Sequence, residues 1–146
     1  MDIIVDIDGT LADCTHRLRH IQKQPKDWDA FFADCGKDAP INTVINIVEA
    51  LGLASNTIIF CSGRPERCRA DTEQWLRTML NYVAPTPLYM RPDGDRRDDQ
   101  IVKRELLARI RADGFNPVLA IDDRSRVVAM WRAEGLICAQ VAEGDF

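Results

Sequence analysis

The sequence predicts a doubly wound α/β fold, and two observations predict it. Short runs of β-branched and apolar residues recur along the chain, and stretches of helical period separate them. Its 146 residues suffice for one domain with one sizeable core, and hardly for two. The first run, Ile3-Ile4-Val5, is apolar without alternation, as a strand covered on both faces must be. Next, Ile41, Val44, Ile45 and Val48 repeat at helical spacing, with Gly52 as the expected stop. Thr57-Ile58-Ile59-Phe60-Cys61 reads as a second buried strand. Pro65 suits the first turn of a helix running through Trp75 and Leu76 towards Leu80. Pro87-Leu88-Tyr89-Met90 is a further strand, and Val102, Leu106 and Ile110 mark a helix ended by Gly114. Val118-Leu119-Ala120-Ile121 is again a strand. Val127, Val128 and Trp131 mark a short helix ended by Gly135, and Leu136-Ile137-Cys138 closes the alternation.

One interval is too long for this scheme. A strand-helix-strand unit needs ~30 residues, and Leu11 to Ser62 holds roughly twenty more than that. The surplus, Asp13 to Asp38, contains Arg17-Leu18-Arg19-His20 and Trp28-Asp29-Ala30-Phe31-Phe32. It lies just after the first strand, where an open α/β sheet keeps its active site, and reads as a small helical lid within a single domain spanning 1–146. Neither repeats nor a linker interrupt the chain.

Composition narrows the function. Apolar residues are 46% and charged residues 29%, ordinary for a soluble globular protein, and the net charge is −4. The surface as a whole therefore attracts neither nucleic acid nor acidic membrane, so an anionic substrate must be captured by a local Arg and Lys cluster or by a metal. The cysteines, at 14, 35, 61, 68 and 138, form no Cys-x-x-Cys and read as buried free thiols. The first residues carry no basic leader, and no apolar run approaches the ~18 residues of a membrane span. The expected compartment is the cytoplasm.

The chemistry concentrates at strand ends. Asp6 and Asp8, in Asp6-Ile7-Asp8-Gly9-Thr10-Leu11, stand two residues apart after an apolar strand, and Gly9 lets the backbone turn sharply. Two acids in a sheet crevice are costly unless a cation sits among them or one is protonated. Hard oxygen ligands favour Mg²⁺, which also accepts phosphate oxygens. Cys61-Ser62-Gly63-Arg64-Pro65 supplies a hydroxyl, a glycine and main-chain N–H groups, an anion-binding corner when it opens a helix. Lys103 lies near the start of a helix, and Ile121-Asp122-Asp123-Arg124 puts a second acidic pair at another strand end. Taken singly, each has an ordinary structural reading: a turn, a cap, a solvated lysine. Their order along the chain makes chance an inadequate account.

Acidic pair, Ser-Gly, Lys and acidic pair in this order resemble the four motifs of the haloacid dehalogenase superfamily, over nearly the whole chain. The resemblance implies a Rossmann-like parallel sheet flanked by helices, and two-step phosphoryl transfer. Asp6 would be the nucleophile and Asp8 the acid and then base. Mg²⁺ would be held by Asp6, the main-chain carbonyl of Asp8, and at least one of Asp122 and Asp123. Ser62, Gly63 and Lys103 would bind phosphate oxygens, with Thr10 orienting the carboxylates beside the substrate. A response-regulator receiver also combines acids with a lysine. It carries its phosphorylated Asp on a middle strand and its Lys after a later one, unlike this chain.

The chain further resembles the 3′-phosphatase domain of bacteriophage polynucleotide kinase-phosphatase. The resemblance lies in Asp6 to Ala12, Ser62-Gly63-Arg64, Val102-Lys103, Ala120 to Arg124, Val127-Val128, Met130-Trp131-Arg132, Gln140-Val141-Ala142 and Gly144-Asp145-Phe146. It implies substrate or supporting roles for Arg17, Arg64, Arg91 and Asp99, and a 3′-phosphorylated DNA or RNA end as substrate, with a free nucleotide or other small phosphorylated metabolite as the alternative. A catalytically silent binding module is the reading from a different class, and the intact acids argue against it. The kinase's Gly-x-x-x-x-Gly-Lys-Ser/Thr loop does not occur in the sequence, which leaves room for a separate kinase or ligase partner. The lid shares little with that family beyond Arg17. Its Trp28, Phe31 and Phe32 fit lid packing first and base stacking second. His16 and His20, one helical turn apart, have a spacing that could bind metal but read as non-metal residues. Arg96 and Arg97 read as a solvated loop, Trp75 and Trp131 as core.

Overall fold

The computed structural model describes residues 1–81 and 86–144. Asp145 and Phe146, the end of the family-like tail, lie outside the described residues. The chain runs β1 (Asp2–Val5), β2 (Ala12–Asp13), a 3₁₀ turn (Thr15–His20), α1 (Trp28–Ala33), a second 3₁₀ turn (Cys35–Lys37), β3 (Ala39–Pro40) and α2 (Asn42–Leu53). It continues through β4 (Thr57–Pro65), a 3₁₀ turn (Glu66–Cys68), α3 (Arg69–Met79), β5 (Leu88–Arg91), α4 (Asp99–Ala112), β6 (Pro117–Arg124), α5 (Ser125–Ala133) and β7 (Ile137–Gly144). The large sheet has the order β5-β4-β1-β6-β7, with every neighbouring pair parallel. This is the helix-flanked parallel sheet that the alternating periods predict.

The strand period of two sorts β1 onto both faces. Ile4 and Ile59 face α4 and α5, packing with Val102, Leu106, Ile110, Val127 and Trp131. Ile3, Val5, Ile58 and Phe60 face the other way, onto Val44, Ile45 and Val48 of α2 and Trp75 and Leu76 of α3. Each such side chain, fully buried, contributes roughly 1.5–3 kcal/mol. The continuous apolar runs therefore have a physical cause: both faces of the central strand are dry. Trp75 and Trp131 are core, as expected.

Because β1 is central, the chain leaves it towards β4 on one side and returns to β6 on the other. The crevice at its carboxyl end is the switch point where such sheets bind ligands. The insertion begins there. Its base is a two-stranded antiparallel ribbon pairing Ala12 with Pro40 and Asp13 with Ala39. Between these strands the 3₁₀ turns and α1 close a small apolar cluster of Cys14, Ile21 and Phe31, with Leu18 and Phe32 against it.

Two local expectations need correction. Gly52 does not stop its helix but lies buried inside it, and Leu53 is the last helical residue. The stop is Ser55 at φ 63°, whose N–H bonds the Gly52 carbonyl, while the Asn56 side chain caps the Leu51 carbonyl at 2.8 Å. Pro65 does not start a helix. Its extended backbone continues β4 and pairs with Arg91, so α3 begins only at Arg69, after the 3₁₀ turn. All five cysteines are buried free thiols. Among the described residues no helix is long and apolar enough to cross a membrane.

Candidate active site

Asp6 follows β1 directly, and its main-chain N–H bonds the Ile121 carbonyl of β6. The next turn is tight: the N–H groups of Thr10, Leu11 and Ala12 all converge on the Ile7 carbonyl. Gly9 turns it at φ 83°, and a Cβ there would lie 2.3 Å from Asp123 Oδ2, so the glycine is needed for both conformation and space. At the ends of β4 and β6 the strand registers shift, between Ser62 and Pro65 and between Asp122 and Arg124. Such irregularities re-aim side chains beside sites. Through these three strand ends and α4, the folded chain gathers the candidate residues into two electrostatic halves.

The first half is acidic. One carboxylate oxygen each from Asp6, Asp122 and Asp123 lies within 4.8 Å of the others, all buried. Lys103 reaches in from α4: its Nζ is 2.8 Å from Asp6, 2.9 Å from Asp122 and 3.6 Å from Asp99. This lysine is buried at 1% exposure, not solvated. Asp122 also accepts from Trp131 Nε1 at 3.0 Å and from the Arg124 N–H at 3.1 Å, whereas Asp123 accepts from the Thr10 hydroxyl at 3.2 Å. Burial raises the Asp6 pKa well above the carboxylate range; Lys103 opposes this, and Asp122, Asp123 and Asp99 add to it. Burial and Asp122 likewise raise Asp123. Burial alone would lower the Lys103 pKa, but the surrounding acids outweigh it and raise it. Three buried carboxylates facing one ammonium are short of positive charge, and their hard oxygens suit a small dication such as Mg²⁺.

The second half is built of guanidinium. The Asp8 carboxylate is not among the three that converge; arginines hold it instead. Arg64 donates to Asp8 Oδ1 from Nε at 2.8 Å and Nη2 at 2.6 Å, and Arg17 donates from Nη2 at 2.9 Å. Burial would raise Asp8, yet the charges and hydrogen bonds of Arg64 and Arg17 win and lower its pKa. Both arginines are completely buried. Ser62 accepts the Arg64 N–H at its hydroxyl, 3.2 Å away.

Arg91 has a different setting. Its N–H groups go to the carbonyls of Gly63 at 2.9 Å, Arg97 at 2.7 Å and Asp95 at 3.3 Å, and to Asp99 Oδ1 at 2.9 Å. It braces the Ser62–Arg64 corner against the loop before α4. Asp99 fills the space beside Gly63, where a Cβ would meet its Oδ1 at 2.5 Å. Burial would raise Asp99, but Lys103, Arg124 and Arg91 lower it. Arg97 pairs with Asp95 and Glu105 at the surface.

Sequence reading missed Asp38. This buried carboxylate accepts from Arg17 Nε at 2.7 Å and Nη2 at 2.5 Å, from Arg64 Nη2 at 2.8 Å, and contacts His16 Nε2 at 2.8 Å. Trp75 Nε1 fixes its carbonyl at 2.8 Å. His16 thus pairs with an acid 22 residues away in sequence. The available signal was indirect: two arginines beside one aspartate need a second anion if they are buried. Asp38→Asn keeps the shape and removes the charge. It is expected to lower the melting temperature by about 10 °C, since breaking a buried pair costs about 3–5 kcal/mol. Phosphate release should fall about 10–100-fold as the arginines lose their anchor. Melting and turnover both matching the unsubstituted protein would show that other groups hold them.

Comparisons with known proteins agree with this architecture. The family described as polynucleotide kinase PNKP phosphatase domain matches residues 1–146. A protein of Autographa californica nuclear polyhedrosis virus, assigned as a bifunctional polynucleotide kinase/RNA ligase, is 30% identical over 131 residues, 89% of this chain and 17% of its own length. A chain of the Pnkp1/Rnl/Hen1 complex is 30% identical with a TM-score of 0.80, over 99% of this chain and 46% of that one. The class C acid phosphatase from Bacillus anthracis shares the fold, at a TM-score of 0.65 and 15% identity over 95% of this chain and 65% of its own. This chain therefore spans less than half the length of the first two relatives.

Proposed function

The chain belongs to the polynucleotide kinase PNKP phosphatase domain family, and on that premise we propose that it removes 3′-phosphates from DNA or RNA ends with Mg²⁺, through an aspartyl-phosphate on Asp6. It is a phosphoric monoester hydrolase. The observation that carries the mechanism is the division of two carboxylates only two residues apart. Asp6 sits in the acidic half beside Lys103, and Asp8 in the arginine half. Environments that push the pKa values of neighbouring acids apart assign them different roles.

In this mechanism the Asp6 carboxylate attacks phosphorus, forming an O–P bond as the bond to the sugar oxygen breaks. Asp8 gives its proton to that oxygen. The lowered pKa of resting Asp8 suits the second step, in which it takes a proton from water as the water attacks phosphorus and the bond to the Asp6 oxygen breaks, releasing phosphate and restoring the Asp6 carboxylate. The acid step requires the opposite, and the negative charge of a phosphate arriving beside Asp8 would favour it by raising the Asp8 pKa. Asp6, Asp122 and Asp123, with the Asp8 main-chain carbonyl, would hold Mg²⁺, which neutralises phosphoryl charge when bound. Asp123 has the freer carboxylate for direct ligation, because Asp122 is engaged by Lys103, Trp131 and Arg124. Lys103 and the Ser62–Gly63 corner would bind the phosphoryl oxygens, and Thr10 holds Asp123. Arg91 and Asp99 would keep that corner and Lys103 in place. A kinase or ligase acting beside this chain is part of the same proposal, since the longer viral relative is assigned both activities.

The test is phosphate release from 3′- and 5′-phosphorylated oligonucleotides, 3′- and 5′-mononucleotides and an aryl phosphate, with Mg²⁺ or EDTA. Release that needs Mg²⁺ and favours 3′-phosphorylated strands over 5′ by about 100-fold or more in kcat/KM is expected, the scale at which a built site rejects a misplaced group. Faster turnover of mononucleotides would transfer the enzyme to nucleotide metabolism. Full activity in EDTA would remove the metal from the mechanism.

A further inference from the structure

Resting on the nucleic-acid reading of the site, we propose that Trp28 in the lid is a stacking platform for a base near the 3′ end of a single strand, and so selects strands over small phosphates. The lid core closes on Cys14, Ile21 and Phe31, with Leu18 and Phe32 against it, and does not include Trp28. Trp28 remains 42% exposed, an unusual setting for the largest apolar side chain. Its orientation is nevertheless fixed. Phe32 stacks with it at 6.0 Å and 23°, and Phe31 meets it edge-on at 5.7 Å.

The surroundings of the ring match a nucleotide strand. Lys26 Nζ stands 5.6 Å from the Trp28 ring centroid, and the Arg67 guanidinium 5.9 Å from that of Phe32. Among the described residues, Lys26 and Lys23 form no ion pair, while Arg67 pairs with Asp29 at 2.7 Å and Asp27 caps α1 through the Ala30 N–H. A half-exposed aromatic ring with the unpaired Lys26 ammonium over it fits a base and its phosphodiester together, the ammonium passing from the ring to the phosphate. A chain with net charge −4 has to provide such positive charge locally.

The platform is also joined to the chemistry. Phe31, packed against Trp28, carries the Arg17 guanidinium 4.3 Å over its ring and accepts Arg17 Nη1 at its carbonyl. Arg17 in turn holds Asp8. In the proposed mechanism Asp8 protonates the leaving sugar oxygen, so Phe31 and Arg17 link the platform to the group that meets the leaving strand.

Trp28→Leu keeps apolar volume and removes the wide π face, whereas Trp28→Phe keeps a stacking ring. On a 3′-phosphorylated strand, Trp28→Leu should raise KM about tenfold to a hundredfold, the scale of losing one base stack, with kcat within about threefold. Trp28→Phe should recover most of that loss. On a strand abasic over its last three positions, the two variants should match the unsubstituted enzyme. A second readout needs no turnover. Quenching of tryptophan emission by a 3′-hydroxyl strand, expected in the unsubstituted protein and lost in Trp28→Leu, reports Trp28 apart from Trp75 and Trp131, which hydrogen-bond to Asp38 and Asp122 of the site. Quenching combined with a preference for small phosphates would sink the 3′-end reading and leave the platform standing. Strong 3′-end activity with an unchanged KM in Trp28→Leu, or an equal KM rise on abasic strands, would overturn the platform alone.

Discussion

Asp6→Asn is expected to abolish phosphate release, by about 10⁴-fold or more, while leaving the protein folded. The amide removes the attacking oxygen anion and one of three carboxylates that face each other within 4.8 Å. It takes away chemistry without taking away packing, since Asn has nearly the volume of Asp. Its effect on stability separates this account from simple damage. Because burial raises the Asp6 pKa, the folded protein without metal binds the Asp6 proton more tightly than the unfolded chain does. The stability associated with that proton is present at low pH and lost as pH rises through the folded pKa. The Asn side chain never ionises and escapes this loss. In EDTA near neutral pH, Asp6→Asn should therefore melt no lower than the unsubstituted protein. Mg²⁺ should stabilise the unsubstituted protein more than the variant, because the variant has lost a ligand. Residual turnover within tenfold would mean that another group is the nucleophile. A variant that melts far lower in EDTA would mean that Asp6 serves the fold through its contact with Lys103.

Much of this arrangement is legible in the sequence because of where the chemistry sits. Asp6, Ser62 and Asp122 follow apolar runs, and a parallel sheet brings the carboxyl ends of neighbouring strands to one edge whatever lies between them. Strand period and residue type are both local signals, so the sheet and the acidic trio follow from reading along the chain. The same reasoning fails where a partner is chosen by tertiary closure. Asp38 lies 26 residues from Arg64 and 21 from Arg17, at the end of an insertion with no periodicity to place it. The pairing of His16 with Asp38 escapes a reading along the chain for the same reason. Arg91 shows the limit of residue type: a guanidinium suits phosphate, but here main-chain carbonyls and Asp99 take its donors. Gly114 and Gly135 end α4 and α5 at φ 97° and 89°, but one helix stop fails. Gly52 offers a left-handed cap, but α2 buries it as a packed residue and runs on to Leu53, leaving that conformation to Ser55.

Lys103→Met should destabilise the protein about as much as Asp38→Asn, and unlike that change its severity should depend on Mg²⁺ and on pH. The methionine fills similar space but leaves Asp6, Asp122 and Asp99 without the ammonium that lies 2.8, 2.9 and 3.6 Å from them. Removing one partner from a buried charge cluster costs about 3–5 kcal/mol, or about 10 °C in melting temperature for a chain of this size. Asp6 responds by binding its proton more tightly: its folded pKa already lies above the unfolded one, and without Lys103 nothing as strong opposes the effect of burial. Stability contributed by that proton is present at low pH and disappears as pH rises through the folded pKa. The deficit of Lys103→Met in EDTA should accordingly be small near pH 5 and large near pH 8. A dication among Asp6, Asp122 and Asp123 replaces part of the missing charge, so Mg²⁺ should narrow the gap at pH 8. Turnover should stay low even so, by about 10²–10³-fold, because the metal cannot restore the lysine's hydrogen bond to a phosphoryl oxygen. Lys103→Arg is no remedy, since a planar guanidinium does not fit a cavity shaped around an ammonium at 1% exposure. A deficit of the same size at both pH values, unaltered by Mg²⁺, would show that Lys103 supports the fold through its aliphatic stem, and the acidic half would then need another source of compensating charge.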